Sequence, residues 1–260
     1  MVENIEKLYS TQFLWDEPVE YKDIILYPVT CKDIQDFYSC VNCILYDPLR
    51  YNSVISTLPR LYFLTDILNH QDDAEYIMQN EFLFAMFICF QKLLKLVLGE
   101  NQDFNFAENK GKWYLQIIKH IDGEDDISID IRAKDFDTLR EIILHQNGVE
   151  YDDTFIHEDI RKWLEEQEAR DNTQYSTIED YLNAFISVTH WKPQETKELS
   201  LRRFNGITDK FLSHDTYNLQ MTASMSGLVS FKGKIVWQFC LQNKHSFNQF
   251  IKLISFFFTT

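Results

Sequence analysis

Apolar side chains recur at helical spacing in three stretches of the first hundred residues. In Cys31–Leu45 they fall at positions i, i+3 and i+4, which places them on one face of a helix that Pro48 limits. Leu58–Leu68 has a similar pattern. Glu81–Leu98 is apolar around nearly its whole circumference. A helix without a polar side is normally buried against several partners, so we expect this one at the centre of the core.

Three other stretches have the composition or the alternation of strands. Tyr21–Val29 is rich in β-branched and aromatic residues, which predicts one strand. Lys112–Ile118 and Asp126–Ile131 are separated by turn-forming residues, and the second alternates isoleucine with polar residues. This period of two is typical of a half-buried strand. The pair predicts a hairpin, and we expect all three strands to form one small sheet packed by helices.

Helical patterns return after the predicted hairpin. They cover Asp135–Gln146, His157–Ala169, a helix that begins at Thr177, Glu195–Leu212 and Asp215–Ser226. The predicted fold class is therefore α+β, predominantly helical, with a small β-sheet or hairpin in the middle region. Composition divides the chain into a helical region with one strand (1–100), an α+β region (101–175), and a helical region with a Phe-rich basic tail (176–260).

The charge balance narrows the classes of partner. Among 260 residues, 40 are Asp or Glu and 25 are Lys or Arg, which gives a formal net charge of −15. Such a chain is repelled by nucleic acid and by anionic membrane surfaces, so we expect neither as a partner. No stretch reaches the roughly 18–20 apolar residues needed to cross a bilayer. Aromatic residues make up 15% of the chain, which argues against a disordered acidic protein.

Cys40 and Cys43 are the only closely spaced cysteines among five. Their spacing is compatible with a thioredoxin-like redox pair or with half of a zinc site. The redox motif requires a preceding strand, and the zinc site requires a second pair of ligands at a recognisable spacing. We therefore expect buried, reduced thiols. The acidic residues near the N-terminus do not resemble a secretory signal, and we expect a cytosolic protein.

Clusters of polar residues do not add up to a catalytic site. Asp152, Asp153, His157 and Glu158 offer oxygen and nitrogen ligands, but their spacing matches no known metal loop, and we interpret them as the N-terminal cluster of a helix. Arg161 occupies the position where a zinc-binding helix would carry its second histidine. We accordingly predict no catalytic, cofactor-binding or metal-binding residues and no cofactor.

Two basic residues adjoin at Arg202-Arg203. They could contact a phosphate, but Glu198 precedes Arg202 by four residues, so local pairing on a helix is the simpler interpretation.

The chain ends carry the apolar residues whose burial is least assured. From Leu228 onward the chain contains four lysines and no acidic residue, and it ends in a Phe-rich stretch. Apolar side chains at termini often engage a partner, although they could equally cover the protein's own helices. The predicted partner-binding residues are Phe13, Trp15, Phe247, Phe250, Phe256 and Phe257.

Several phrases of the sequence resemble tail assembly chaperones and related tail proteins of tailed bacteriophages. The first is 21–30 (YKDIILYPVT), followed by an acidic and aromatic helix. The second is 135–147 (DFDTLREIILHQN), which runs on to Tyr151-Asp-Asp and to 157–161 (HEDIR). The third comprises 177–181 (TIEDY), 199–204 (LSLRRF) and 221–227 (MTASMSG).

This resemblance implies a non-enzymatic helper of virion assembly. Such chaperones keep the long, apolar tape measure protein soluble until tail tube subunits polymerise around it. The implied partners are the phage tape measure protein and the tail tube protein, with a possible homo-oligomer, and the implied location is the host cell cytoplasm. The alternatives are a structural tail or baseplate subunit and an acidic inhibitory protein that binds a basic groove on its target.

Overall fold

The computed structural model of the chain describes residues 4–51, 54–120, 125–151 and 177–225. The α+β, predominantly helical class is confirmed. The predicted helix 157–169 and the partner-binding residues Phe247, Phe250, Phe256 and Phe257 lie outside the described residues. The helices are α1 (Ile5–Leu8), α2 (Ser10–Trp15), α3 (Ile34–Leu45), α4 (Arg60–Thr65), α5 (Ala74–Gln79), α6 (Glu81–Leu98), α7 (Ala133–Gln146), α8 (Ile178–Thr189), α9 (Pro193–Lys197) and α10 (Leu201–Met225).

The stretch predicted as one strand over Tyr21–Val29 instead contains the last residue of one short strand, a turn and a second strand. Strands β1 (Val19–Tyr21) and β2 (Ile24–Leu26) pair antiparallel. The turn residues Lys22 and Asp23 both have positive φ, 52° and 65°. Two successive left-handed residues reverse the chain with the twist that a two-residue hairpin needs. The prediction of a continuous strand here is wrong because this turn interrupts it.

A separate sheet has three antiparallel strands in the order β3 (Gln102–Asn109), β4 (Lys112–Lys119), β5 (Ile127–Ile131). The predicted hairpin of the middle region is its β4–β5 half. The prediction of one small sheet that includes the strand near Tyr21 is wrong, because β1 and β2 pair only with each other among the described strands.

One buried side chain joins the two sheets. Gln102 donates from Nε2 to the carbonyl oxygens of Ile25 and Leu98, at 2.6 Å each, and its Oε1 accepts from the Ile25 amide at 3.0 Å. The Gln102 amide thus pairs with the backbone of β2 as a neighbouring strand would. Its hydrogen bonds offset the cost of burying the amide.

Helix α6 runs through the core, as its all-round apolar pattern predicts. Phe90 is fully buried, with its ring 5.4 Å from that of Phe136 and 5.9 Å from that of Phe106. Helix α3 packs closely along α6. The same core includes Leu115 from the sheet and Phe204 from α10, so all three regions distinguished by composition contribute to it.

The C-terminal helices agree with the sequence signals only in part. Thr177 caps α8 in a reciprocal capping box with Asp180. The two helices predicted over Glu195–Leu212 and Asp215–Ser226 are instead the short α9 and the single long α10. A backbone bridge between Thr30 and Ser200 attaches the start of α10 to the segment that follows the β1–β2 hairpin.

Candidate partner-binding groove

Phe13, one of the predicted partner-binding residues near the N-terminus, is buried, with 2% of its surface accessible. Its ring stacks on His145 of α7 at 6.1 Å between centroids, and the guanidinium of Arg202 lies 5.4 Å from its centre. Of the two roles left open for Phe13, the structure shows that it covers the protein's own helices, because the N-terminal helices pack against α7 and the beginning of α10. Phe13 thereby anchors the N-terminal segment to the core.

The neighbouring apolar residues of the N-terminal helices are exposed to solvent. Leu14 and Trp15 are each 64% exposed, and Leu8 is 49% exposed. Trp15 was predicted as a partner-binding residue, and the structure places it at the surface. Burying Phe13 leaves Leu14 and Trp15 facing solvent because consecutive helical residues point to different sides.

An open groove of about 390 Å³ separates α1 and α2 from the first turns of α10. Its lining is Glu6, Ser10, Phe13, Leu14, Asp16, Arg202, Arg203, Gly206 and Ile207. We call this set the N-terminal groove; Trp15 follows Leu14 in the chain but is not part of the lining. The α10 residues of the groove were missed at the sequence level because no local pattern indicates that positions near 13 and near 202 meet.

Two charged residues of the N-terminal groove, Asp16 and Arg203, bind each other and neighbouring groups of the chain. Asp16 forms an ion pair with Arg203, with Nε and Oδ2 3.0 Å apart, and its Oδ1 accepts from the Ser200 hydroxyl at 2.7 Å. Arg203 also donates to the Leu14 carbonyl oxygen at 3.2 Å. These contacts connect the end of α2 to the start of α10 and hold the walls of the groove together.

Arg202 connects α10 to both α2 and α7. It lies over the Phe13 ring and donates a hydrogen bond to the carbonyl oxygen of His145. The two arginines therefore have structural partners across the chain, and the predicted pairing of Arg202 with Glu198 is not the contact that positions it.

His145 lies beneath the groove as a neutral side chain. Burial lowers its pKa, the Glu6 carboxylate partly offsets this effect, and the Arg202 charge adds to it. A neutral imidazole stacked on Phe13 behaves as an aromatic surface at physiological pH. With the Asp16–Arg203 pair satisfied internally, the groove offers a ligand apolar contact through Leu14 and Ile207.

The other constellations singled out in the sequence fall elsewhere. Cys40 and Cys43 both lie in α3 and are buried as free thiols. The cluster from Asp152 to Glu158 is outside the described residues. Within the described part of the chain, no group of three or more His, Cys, Asp or Glu residues is arranged to hold a metal ion.

None of the helices in the described segments has the length and apolarity that crossing a membrane requires. In comparisons with models of known protein families, with curated proteins and with solved structures, no match to this chain was found.

Proposed function

We propose that the protein is a non-enzymatic phage tail assembly chaperone that binds apolar segments of the tape measure protein through the N-terminal groove. The observation that carries the proposal is the exposure of Leu14, which lines this groove, and of Trp15, the next residue along α2. The sequence resemblance supplies the identity of the client, and the structure supplies a surface suited to it. The proposed place of action is the host cell cytoplasm.

The N-terminal groove has the features that recognition of an apolar helix needs. A client side chain entering it would contact Leu14 and Ile207, and Trp15 beside Leu14 in the chain would lose solvent exposure. Large aromatic residues bordering a pocket are common binding hot spots. Complete burial of one such side chain contributes roughly 1.5–3 kcal/mol.

The net charge of the chain complements this apolar surface. Fifteen excess negative charges repel other copies of the complex and so keep a bound apolar client in solution. Binding stabilises the unassembled client by mass action and needs no catalytic geometry. In this proposal, tail tube subunits then displace the chaperone as they polymerise around the client.

The test is co-expression of the full chain with the tape measure protein of the same phage, followed by affinity capture and a binding titration. The double variant Leu14→Ser with Trp15→Ser should bind at least about tenfold more weakly, because each truncation removes apolar contact area. Leu49→Ser is the matched control, since Leu49 is 60% exposed but does not line the groove. Equal weakening by the control, or none by the double variant, would contradict the proposal.

Two further measurements separate the alternatives. A structural tail or baseplate subunit would be present at stoichiometric copy number in purified particles, whereas a chaperone should be missing from them by mass spectrometry. An acidic inhibitor bound to a basic groove would dissociate as salt increases, because exposed charges are screened over about 8–10 Å near physiological ionic strength. Client binding through the apolar groove should persist under the same conditions.

A further inference from the structure

Two thiols from neighbouring helices meet where α3 packs on α6. Both sulfurs lie against the same residue of α3: Cys40 Sγ is 3.5 Å from the Ser39 hydroxyl, and Cys89 Sγ is 3.7 Å from the Ser39 carbonyl oxygen. Helices α3 and α6 are in close contact here. A disulfide between the two cysteines would bring their sulfurs to about 2.05 Å of each other.

The surroundings of Cys40 favour its thiolate. The hydrogen bond from Cys89 lowers the pKa of Cys40 to about 6 against the opposing effect of burial, and the Ser39 hydroxyl and the Lys92 charge lower it further, while Asp36 raises it. The thiolate is the nucleophilic form of cysteine. Cys31 and Cys43 lack such an opposing effect of sufficient size, and burial raises the pKa of Cys31 to about 12 and that of Cys43 well above its ordinary value.

Access to the pair is through Cys89. Cys89 is partly exposed, whereas Cys40 is 1% exposed. A small neutral oxidant is therefore better suited to the site than a bulky disulfide reagent, which would have to displace the packed helices. Hydrogen peroxide has the required size and reacts with thiolates.

We propose that Cys40 and Cys89 are a redox-sensitive pair that a peroxide converts into a disulfide linking α3 to α6. The Cys40 thiolate attacks one peroxide oxygen, the O–O bond breaks, and the released hydroxide takes up a proton to become water. The resulting sulfenic acid is then attacked by Cys89 sulfur, which forms the S–S bond and releases a second water. Two thiols and one peroxide thus give one disulfide and two waters. This inference is independent of the proposed function.

The experiment treats the native full chain with hydrogen peroxide, alkylates the remaining thiols, and maps disulfide-linked peptides by mass spectrometry. The expected product is a Cys40–Cys89 peptide pair lighter by two hydrogen atoms than the sum of its reduced halves. Cys43→Ser should leave this product unchanged, because Cys43 lies on the same helix but takes no part in the bond. Failure to form the pair, or preferential linkage through Cys43 or Cys240, would overturn the proposal.

A trapping measurement tests the order of the steps. In Cys89→Ser the reaction should stop at the Cys40 sulfenic acid, which dimedone captures as a stable adduct. In the wild-type chain the oxidation rate should rise through pH 6 and level off above it, because Cys40 becomes thiolate there under the influence of Cys89, Lys92 and Asp36. A rate that rises only above about pH 8, as expected for an ordinary cysteine, would contradict the role of Cys40 as the attacking thiolate. This measurement uses the wild-type chain and does not depend on whether a variant folds.

Discussion

His145 is partly buried and His120 is exposed, and their pKa values are shifted in opposite directions. Burial lowers the pKa of His145. Hydrogen bonds from the imidazole to Asp126 and Asp103 raise the pKa of His120, with nitrogen–oxygen distances of 3.1 and 3.4 Å. The same residue type therefore responds to acid in opposite ways within one chain.

These shifts predict opposite dependences of stability on pH. Because the folded pKa of His145 is depressed, its contribution is present above the unfolded value of about 6.5 and is lost as pH falls. Because the folded pKa of His120 is raised, its contribution is present below about 6.5 and is lost as pH rises. In urea unfolding, the stability gap between wild type and His145→Gln should narrow from pH 8 to pH 5, while the gap for His120→Gln should widen. Parallel behaviour of the two variants would contradict both assignments.

At the scale of elements, α6 offers two phenylalanines in contrasting environments. Phe90 is fully buried between Phe106 and Phe136, whereas Phe84 on the same helix is 43% exposed. Phe90→Ala should lower the free energy of unfolding by about 3–5 kcal/mol, because it removes apolar contacts and leaves a cavity. Phe84→Ala has the same effect on helix propensity and should cost less than about 1 kcal/mol. Denaturant unfolding of both variants tests this, and similar losses would place the centre of the core elsewhere.

The elements that sequence could predict are those whose pattern is local and whose turn chemistry is conventional. The long helix α6 begins and ends at the predicted residues because apolar residues dominate it despite Gln91, Lys92 and Lys95, and Gly99 follows it. The β1–β2 hairpin was not predicted because Lys22-Asp23 lacks the glycine that usually signals a two-residue turn. Strand β3 was missed because five of its eight residues are polar or acidic and several lie exposed. The N-terminal groove was only half predictable, since Trp15 stands near the chain end but its α10 wall depends on contacts distant in sequence.

At the scale of the whole molecule, one core unites regions that composition separates. Side chains from Ile5 to Phe204 belong to a single buried cluster. Asn147 contributes to the same connection, because its Oδ1 accepts from the Val29 amide at 2.8 Å while its Nδ2 donates to the Ile143 carbonyl. Such long-range contacts couple the stability of the N-terminal hairpin to that of α7.

A shared core predicts cooperative unfolding. Far-ultraviolet circular dichroism, which follows the helices, and near-ultraviolet circular dichroism, which follows aromatic packing, should give coincident midpoints in urea. Coincidence of independent probes is the expected behaviour of a chain without populated intermediates. Two separated transitions would contradict a single cooperative core and would indicate that regions 1–100 and 176–260 unfold independently.

The N-terminal groove is built from the two ends of the described chain, with Glu6 to Asp16 on one side and Arg202 to Ile207 on the other. The groove therefore cannot form before the ribosome has synthesised the chain through Ile207 and this part of α10 has left the ribosome. Until then, Phe13 is not covered by Arg202, and the apolar side chains of the N-terminal helices lack their contacts with α10. The client capture proposed for this surface would therefore require a chain synthesised beyond Ile207, so the timing of translation would take part in controlling binding.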